Sequence, residues 1–361
     1  MKNIKVFLTL ALCIVMLVGC AKDNKTGEVQ PTQDKESIIT PEPTEEVKDP
    51  VSDTPAEEET VPAEKIDIRI AALKGPTAMG MVQVMDHAKK QETTNNYTFT
   101  IAGAADEISA GLIKGDFDIA AVPCNLASVL YNKTEGQINV AGINTLGVLY
   151  IVETGDTIHS VADLKGKTIY STGLGTTPQY TLNYLLTSNG IDPEKDVTIE
   201  YKTEPTEVAA ILSEATDAIA MLPQPYVTTV MMNNDRVKIA LNVADEWDAI
   251  STDGSSVVTG VVVVRKDFLE ANKEAVDAFL SEYVASASFV NESVEEASVL
   301  VEQFDIFKAA VAKKAIPLCN ITFIQGDEMK EKMSGYLTTL FDQNPKAVGG
   351  KLPAEDFYYI P

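Results

Sequence analysis

Histidine and arginine are nearly missing from this 361-residue sequence. It holds 2 histidines, His87 and His159, and its arginines are Arg69, Arg236 and Arg265 alone. His87 falls mid-helix beside Lys89 and Lys90 and His159 in a polar loop, so both rings read as solvated or locally satisfied rather than as acid–base catalysts. The 4 cysteines show no metal-binding spacing with one another or with histidine. No Gly-x-Ser-x-Gly elbow and no P-loop occurs. Gly173-Leu174-Gly175-Thr176-Thr177-Pro178 begins like a dinucleotide fingerprint, but Pro178 stands at the third glycine and the preceding strand is not the first of the fold. These absences argue against an enzyme, and neither a cofactor nor a metal is expected. Basic residues are also short: 29 Lys and Arg face 53 Asp and Glu, a formal charge of −24. That balance argues against nucleic acid and against adhesion to anionic lipid.

Long apolar runs are equally scarce. The single one, Ile4 to Val18, is broken only by Lys5 and Thr9 and follows the basic Lys2. Its length suits a secretory signal better than a spanning helix of about 20 residues. It ends in Leu17-Val18-Gly19-Cys20, small residues before a cysteine, which looks like a bacterial lipobox. The expectation is a signal peptide over 1–19 and lipidation at Cys20, placing the protein on the outer side of the cell membrane. Cys13 leaves with the signal. Cys124 and Cys319 remain, and an exported chain could bridge them; two small buried side chains are the favoured reading.

Residues 20–65 carry Pro31, Pro41, Pro43, Pro50, Pro55 and Pro62 among many acidic residues and no aromatic one. Such a stretch buries too little apolar surface to offset its chain entropy, so it reads as a disordered tether.

Beyond Ile66, short β-branched runs alternate with helical patterns, the signature of a mostly parallel sheet covered on both faces. Strands are expected at 66–72, 97–103, 117–122, 138–143 and 147–152. The pattern restarts with strands at 167–171, 197–202 and 218–222, then one long strand at 257–264. Helices are expected between them at 77–91, 105–114, 125–132, 176–189 and 206–215. After residue 264 the chain turns helical over 266–291, 294–315 and 327–341.

A repeat runs through this alternation. Glu107-Ile-Ser-Ala-Gly-Leu with Ile119-Ala120 and Pro123 matches Glu207-Val-Ala-Ala-Ile-Leu with Ile219-Ala220 and Pro223, at an offset of 100 residues. The same offset sets Gly75 and Thr77 on Gly175 and Thr177. Two α/β lobes of similar topology follow: lobe I from 66–148 plus 260–361, and lobe II from 149–259. The strands 147–152 and 257–264 are expected to cross between them and to form a hinge suited to closure around a ligand.

In open parallel sheets, ligands bind beyond the carboxyl ends of the strands, where helix N-termini converge. That rule selects Lys74–Met79 and Pro123–Asn125 in one lobe, and Thr172–Thr177 and Pro223–Pro225 in the other. Any one of these loops can instead merely cap a helix.

Three segments carry a family resemblance. Val161-Ala-Asp163-Leu-Lys-Gly166-Lys-Thr-Ile169 with Ser171-Thr-Gly173 resembles the opening of the second lobe in extracellular solute-binding proteins of the nitrate, sulfonate, taurine and thiamine-precursor group. Phe117–Val122 and Ala218–Pro223 resemble strands of the same group. The resemblance implies a two-lobed type II periplasmic-binding-protein fold and a small molecule held in the interlobe cleft. It also implies an ABC importer whose permease and ATPase subunits are the partners. Carried onto this sequence, the binding positions are Gly75, Pro76, Thr77, Met79, Pro123, Cys124 and Asn125. Leu149 and Tyr150 at the hinge and Gly175, Thr176, Thr177 and Gln224 in the far lobe complete the set. Tyr150, Tyr180 and Tyr226 can stack on a flat ligand, though each is expected simply to pack.

No arginine falls in these loops, so a small polar or heterocyclic solute, neutral or weakly charged, is expected before a strong anion. The cysteine-rich motif of the pyrimidine-synthesising enzymes on this fold is missing. A sensor or surface lipoprotein on the same scaffold stays open. The protein is expected to act as a monomer.

Overall fold

Eleven strands form two separate sheets in the computed structural model, which describes residues 64–361; the signal segment, Cys20 and the tether up to residue 63 lie outside the described residues. The strands are β1 (Asp67–Leu73), β2 (Asn96–Ala102), β3 (Ile119–Pro123), β4 (Ile138–Leu146), β5 (Leu149–Glu153) and β6 (Thr168–Thr172). They continue with β7 (Thr198–Lys202), β8 (Ile219–Pro223), β9 (Lys238–Asn242), β10 (Val258–Arg265) and β11 (Ile321–Ile324).

The first sheet runs β11-β4-β10-β3-β1-β2 and the second β7-β6-β8-β5-β9. Within each, the first three strands of the local repeat are parallel, and an inner strand runs the other way: β10 against β3 and β4, β5 against β8 and β9; in the first sheet the edge strand β11 also runs against β4. The offset of 100 residues holds in three dimensions. The helices Ala105–Lys114 and Pro205–Glu214 precede β3 and β8 at matching positions, and β4 and β9 start at Ile138 and Lys238.

The β-branched run Val258–Val264 is buried on both faces, as a central strand flanked by helices must be. Ile70, Ile119, Val262 and Phe279 belong to the core on one side of the first sheet; Ala120, Val122, Val263 and Leu337 belong to the other. Leu149, Ile169 and Leu185, then Val152, Val208 and Leu222, do the same for the second sheet.

Several expectations need correction. The strands at the lobe junction do not themselves cross; β5 lies wholly in the second sheet and β10 wholly in the first. The crossings are Gly147-Val148 outward and residues 251–257 on return. They pack side by side: a Cβ on Gly147 would meet Ala244 Cβ at 2.7 Å and Val257 Cβ at 3.2 Å. The expected helix 77–91 is two pieces, Pro76–Met79 and Val82–Lys89. Tyr283 and Ile321 press to within 3.2 Å of where a Gly80 side chain would begin, so a larger residue there would have to displace them.

The expected helix 294–315 breaks into Val294–Gln303 and Ala309–Ala315. Asp305 takes φ +52, the Ile306 N–H returns to Val301 O, and buried Ile306 draws the chain inward. Cys124 and Cys319 are both free and buried. Burial pushes both thiols up, Cys319 to about 12, so neither is a thiolate at neutral pH.

Candidate functional site

A cavity of about 600 Å³ opens at the carboxyl ends of strands from both sheets, a size within the roughly 300–1,000 Å³ of small-molecule sites. From the first sheet come Leu73 to Thr77 after β1, Gly103 after β2, Pro123 at the end of β3 and Thr259 in β10. From the second come Pro223 to Tyr226 after β8, and Val148 supplies the outgoing crossing. The irregular segment between the two short helices closes the remaining side as a strap, through Asp305, Ile306, Phe307 and Lys308, with Glu302 beside it.

The first loop is shaped by its glycine. Gly75 has φ +137 and ψ −155, backbone that residues with a Cβ avoid, and the space where a Cβ would stand is empty. Behind it the Thr77 hydroxyl donates to Leu73 O at 2.7 Å, and Asn144 Nδ2 and the Tyr283 hydroxyl both donate to Thr77 O, at 3.2 and 3.3 Å. These bonds tie the turn to β4 and to the helix Lys273–Glu292, so the cavity wall is rigid on this side.

The opposite wall is set by Gln224. Its N–H donates to Val148 O at 2.9 Å, and its side-chain Oε1 accepts from the Thr228 hydroxyl at 2.8 Å and the Thr228 N–H at 3.3 Å. The residue is 2% exposed, and Nε2 has no acceptor among the described residues.

Across the mouth, Tyr226 from the second lobe meets Phe307 of the strap edge-on, with ring centroids 6.2 Å apart at 88°. Charge at the rim is matched. Lys74 Nζ lies 3.5 Å from Asp305 and Lys308 Nζ 3.1 Å from Glu302. Glu302 also accepts from the Ala309 N–H, and that bond and Lys308 hold its carboxyl below the usual glutamate range.

Of the residues expected at the site, Gly75, Pro76, Thr77, Pro123 and Gln224 line this cavity. The others do not. Met79 and Cys124 are sealed in the core, and Asn125 spends its amide on Ala347 O. Leu149 is packed in the second sheet, and the Tyr150 hydroxyl donates to Leu318 O at 2.8 Å. The Gly175–Thr177 loop stands apart from the cavity wall, and its polar groups are used locally. Gly175 N–H donates to Gln179 Oε1, Gly175 O accepts from the Tyr180 hydroxyl, and Thr176 Oγ1 donates to Gly173 O. The expected pairing of Gly75 with Gly175 across one crevice is therefore corrected: only the first of the two lines it.

The physical reason lies in the following helix. Thr177–Ser188 docks against Gly326–Gln343 of the other lobe. Thr181 Oγ1 and the Tyr336 hydroxyl lie 3.2 Å apart, and Gln343 Nε2 and Asn344 Nδ2 donate to the Tyr180 carbonyl and hydroxyl. Trp247, fully buried, sits between Tyr184 and Tyr336 at 4.2 and 5.3 Å. The strap, Gly103, Val148 and Thr259 lie outside the sequence expectation, and Tyr226, expected simply to pack, lines the cavity.

The arginines are elsewhere. Arg69 binds the buried Asp118 carboxylate through two nitrogens, at 2.9 and 2.6 Å, and Arg265 lies 3.6 Å from it. Asp118 precedes β3, so this cluster sits at the amino ends of the parallel strands, opposite the cavity.

Residues 134–297 match the family model described as NMT1/THI5 like. No curated protein matches the chain. Among solved structures, an ABC transporter protein from Parabacteroides distasonis is 24% identical, with a TM-score of 0.68 over 81% of this chain and 98% of the other. The periplasmic aliphatic sulphonate binding protein of Escherichia coli is 16% identical, with a TM-score of 0.65 over 82% and 92%. The ligand binding component of an ABC-type import system from Staphylococcus aureus, solved with zinc bound, is 15% identical, with a TM-score of 0.62 over 82% and 97%. The chain thus has the two-lobed periplasmic-binding-protein fold, and over residues 134–297 it is similar to the NMT1/THI5-like family.

Proposed function

We propose that the protein is the solute-binding component of an ABC-type importer, holding a small molecule in the cavity between the two sheets. The observation that carries this reading is the cavity itself: one space of about 600 Å³ walled by strand ends of both lobes and by the crossing residue Val148. A solute there touches both halves and the chain between them, so binding energy is coupled to lobe orientation. The similar import proteins support the reading, and the permease and ATPase subunits are then the partners. The side docked through Thr181, Tyr336 and Trp247 acts as the pivot, and the mouth opens where Tyr226 meets Phe307.

No helix of the described residues is long and apolar enough to cross a membrane. Lipid on Cys20 holds the protein to the extracytoplasmic face, with residues 21–65 as the tether. The cavity lacks a nucleophile–base pair, and the role is capture rather than catalysis.

The test is a thermal-shift screen of small metabolites on the full-length protein, beside Gly103→Leu. Gly103 lines the cavity, and a Cβ added there meets nothing within 4 Å. The side chain should fill the space without disturbing the fold. A ligand that stabilises the native protein by mass action should lose that effect in the variant. An unchanged shift would place the ligand outside this cavity.

A further inference from the structure

Thr259 breaks the regularity of β10 where that strand meets the cavity. We propose that this β-bulge presents the Thr259 hydroxyl to the solute, and that the hydroxyl is the specificity-determining hydrogen-bonding group of the site; this rests on the cavity being the solute site.

The bulge follows from the register. Against β4, Val258 pairs with Leu146 and Gly260 with Thr145, so two steps along β10 match one along β4 and Thr259 is left over. Burial agrees. Side chains of a regular strand alternate between its faces, so Val258 and Val261, three positions apart, belong on opposite faces. Both are instead part of one core, together with Val263. Thr259 is the extra residue that shifts the phase.

The backbone beside it is fixed. Gly260 lies next to Pro123 at the end of β3. A Cβ on Gly260 would meet Thr77 Cγ2 at 2.4 Å and Asn144 Oδ1 at 2.5 Å, and Asn144 Nδ2 donates to Thr77 O. The bulge is therefore pressed onto the first cavity loop. A β-branched side chain on such backbone has few rotamers to lose when a ligand binds.

The state of the polar atoms singles out Thr259 from the rest of the lining. Three neutral polar side chains stand on the lobe walls: Thr77, Gln224 and Thr259. The Thr77 hydroxyl donates to Leu73 O. Gln224 Oε1 accepts from Thr228, and its Nε2 is sealed from solvent. Thr259 is half-buried, and its hydroxyl has no hydrogen-bond partner among the described residues without being one of the sealed atoms. It is an accessible, unspent hydroxyl on a residue that lines the cavity, able to donate or accept. Leu73, Pro76, Pro123, Val148 and Pro225 in the same lining offer no side-chain hydrogen bond. A solute that sets a polar atom against Thr259 gains a bond that its hydrocarbon analogue lacks.

Phenol and toluene test this, being alike in shape and different in one hydroxyl. Affinities are measured by ligand-observed NMR on the full-length protein, and fold by circular dichroism. Thr259→Val removes the hydroxyl at nearly constant volume and should lower the phenol-to-toluene affinity ratio about three- to tenfold, the size of one net hydrogen bond. Thr259→Ser, which keeps the hydroxyl, should retain the ratio, and so should Tyr226→Phe, which removes a hydroxyl at the mouth. Because the Thr259 hydroxyl bonds to nothing in the fold, Thr259→Val should leave the urea midpoint unchanged or raise it. An unaltered ratio in Thr259→Val, an equal fall in Thr259→Ser or Tyr226→Phe, or a lower midpoint in Thr259→Val overturns the inference. Failure of both probes to bind at millimolar concentration overturns it as well. Gly103→Leu keeps the two readings apart. If it abolishes probe binding while Thr259→Val leaves the ratio intact, the cavity stands and only the role of Thr259 falls. Probes that bind Gly103→Leu as well as the parent protein lie outside the cavity, and both readings fall.

Discussion

Replacing Gly75 by alanine separates backbone strain from packing, because the cavity supplies its own control. At φ +137 and ψ −155, Gly75 sits in a region that is essentially closed to residues with a Cβ. Nothing lies within 4 Å of the added methyl, so no clash contributes. The cost is conformational alone, about 1–3 kcal/mol. For domains of 150–250 residues each kcal/mol lowers Tm by about 2–4 °C, so the loss amounts to several degrees. Gly103 lines the same cavity, also with open space at its Cβ, and carries no positive φ. Gly103→Ala should therefore stay within about 0.5 kcal/mol of the parent protein. Urea titration followed by the emission of Trp247, the single tryptophan, measures both. Gly75→Ala should shift the midpoint downward at constant slope. Equal midpoints for the two variants would refute the claim that the loop conformation itself demands glycine.

Trp247 is fully buried between Tyr184 of its own lobe and Tyr336 of the other, so its emission reports the docked side. If that side is the pivot, ligand binding should leave the emission unchanged; a spectral shift on binding would move the pivot elsewhere. Cys124 and Cys319 should resist iodoacetamide in the folded protein and react only in denaturant, since burial keeps both thiols protonated. Alkylation at the native rate of a free thiol would contradict the buried placement. Cys20→Ala should move the protein from the membrane fraction to the soluble one, and retention in the membrane fraction would remove the lipid anchor from the proposal.

Much of the fold was legible because it is written twice. The offset of 100 residues that aligned Ile119 with Ile219 and Pro123 with Pro223 reappears as two strands of equal length, each preceded by a ten-residue helix. Apolar strands with helices on both faces leave a plain pattern in sequence. Two of the four edge strands did not: Lys238–Asn242 and Ile321–Ile324 are short and half exposed, so burial imprints little on them. The break at Gly80 accompanies packing by Tyr283 and Ile321 from elsewhere in the fold, and that at Asp305 the burial of Ile306 in the core, neither of which periodicity records. The site was half legible for the same reason. Strand-end rules found the loops after β1, β3 and β8, but which loops share a space depends on how the lobes dock. That docking brings together residues such as Thr181 and Tyr336, which lie 155 positions apart in sequence.

The two inner reversed strands explain why the interlobe crossings and the cavity coincide. β10 begins at the carboxyl end of β3, with Gly260 beside Pro123, and β5 begins at the carboxyl end of β8, with Leu149 beside Pro223. An antiparallel strand inserted between parallel neighbours has to start where they finish. The chain that enters each sheet therefore passes along the strand ends where the cavity opens. Val148 and Thr259 line the cavity for that reason, and the Gln224 N–H on Val148 O joins the second lobe's binding loop directly to the outgoing crossing. Under the proposed function, a solute in this cavity that displaces the Gln224 loop displaces the crossing too, so recognition and lobe movement would share residues with no separate relay between them.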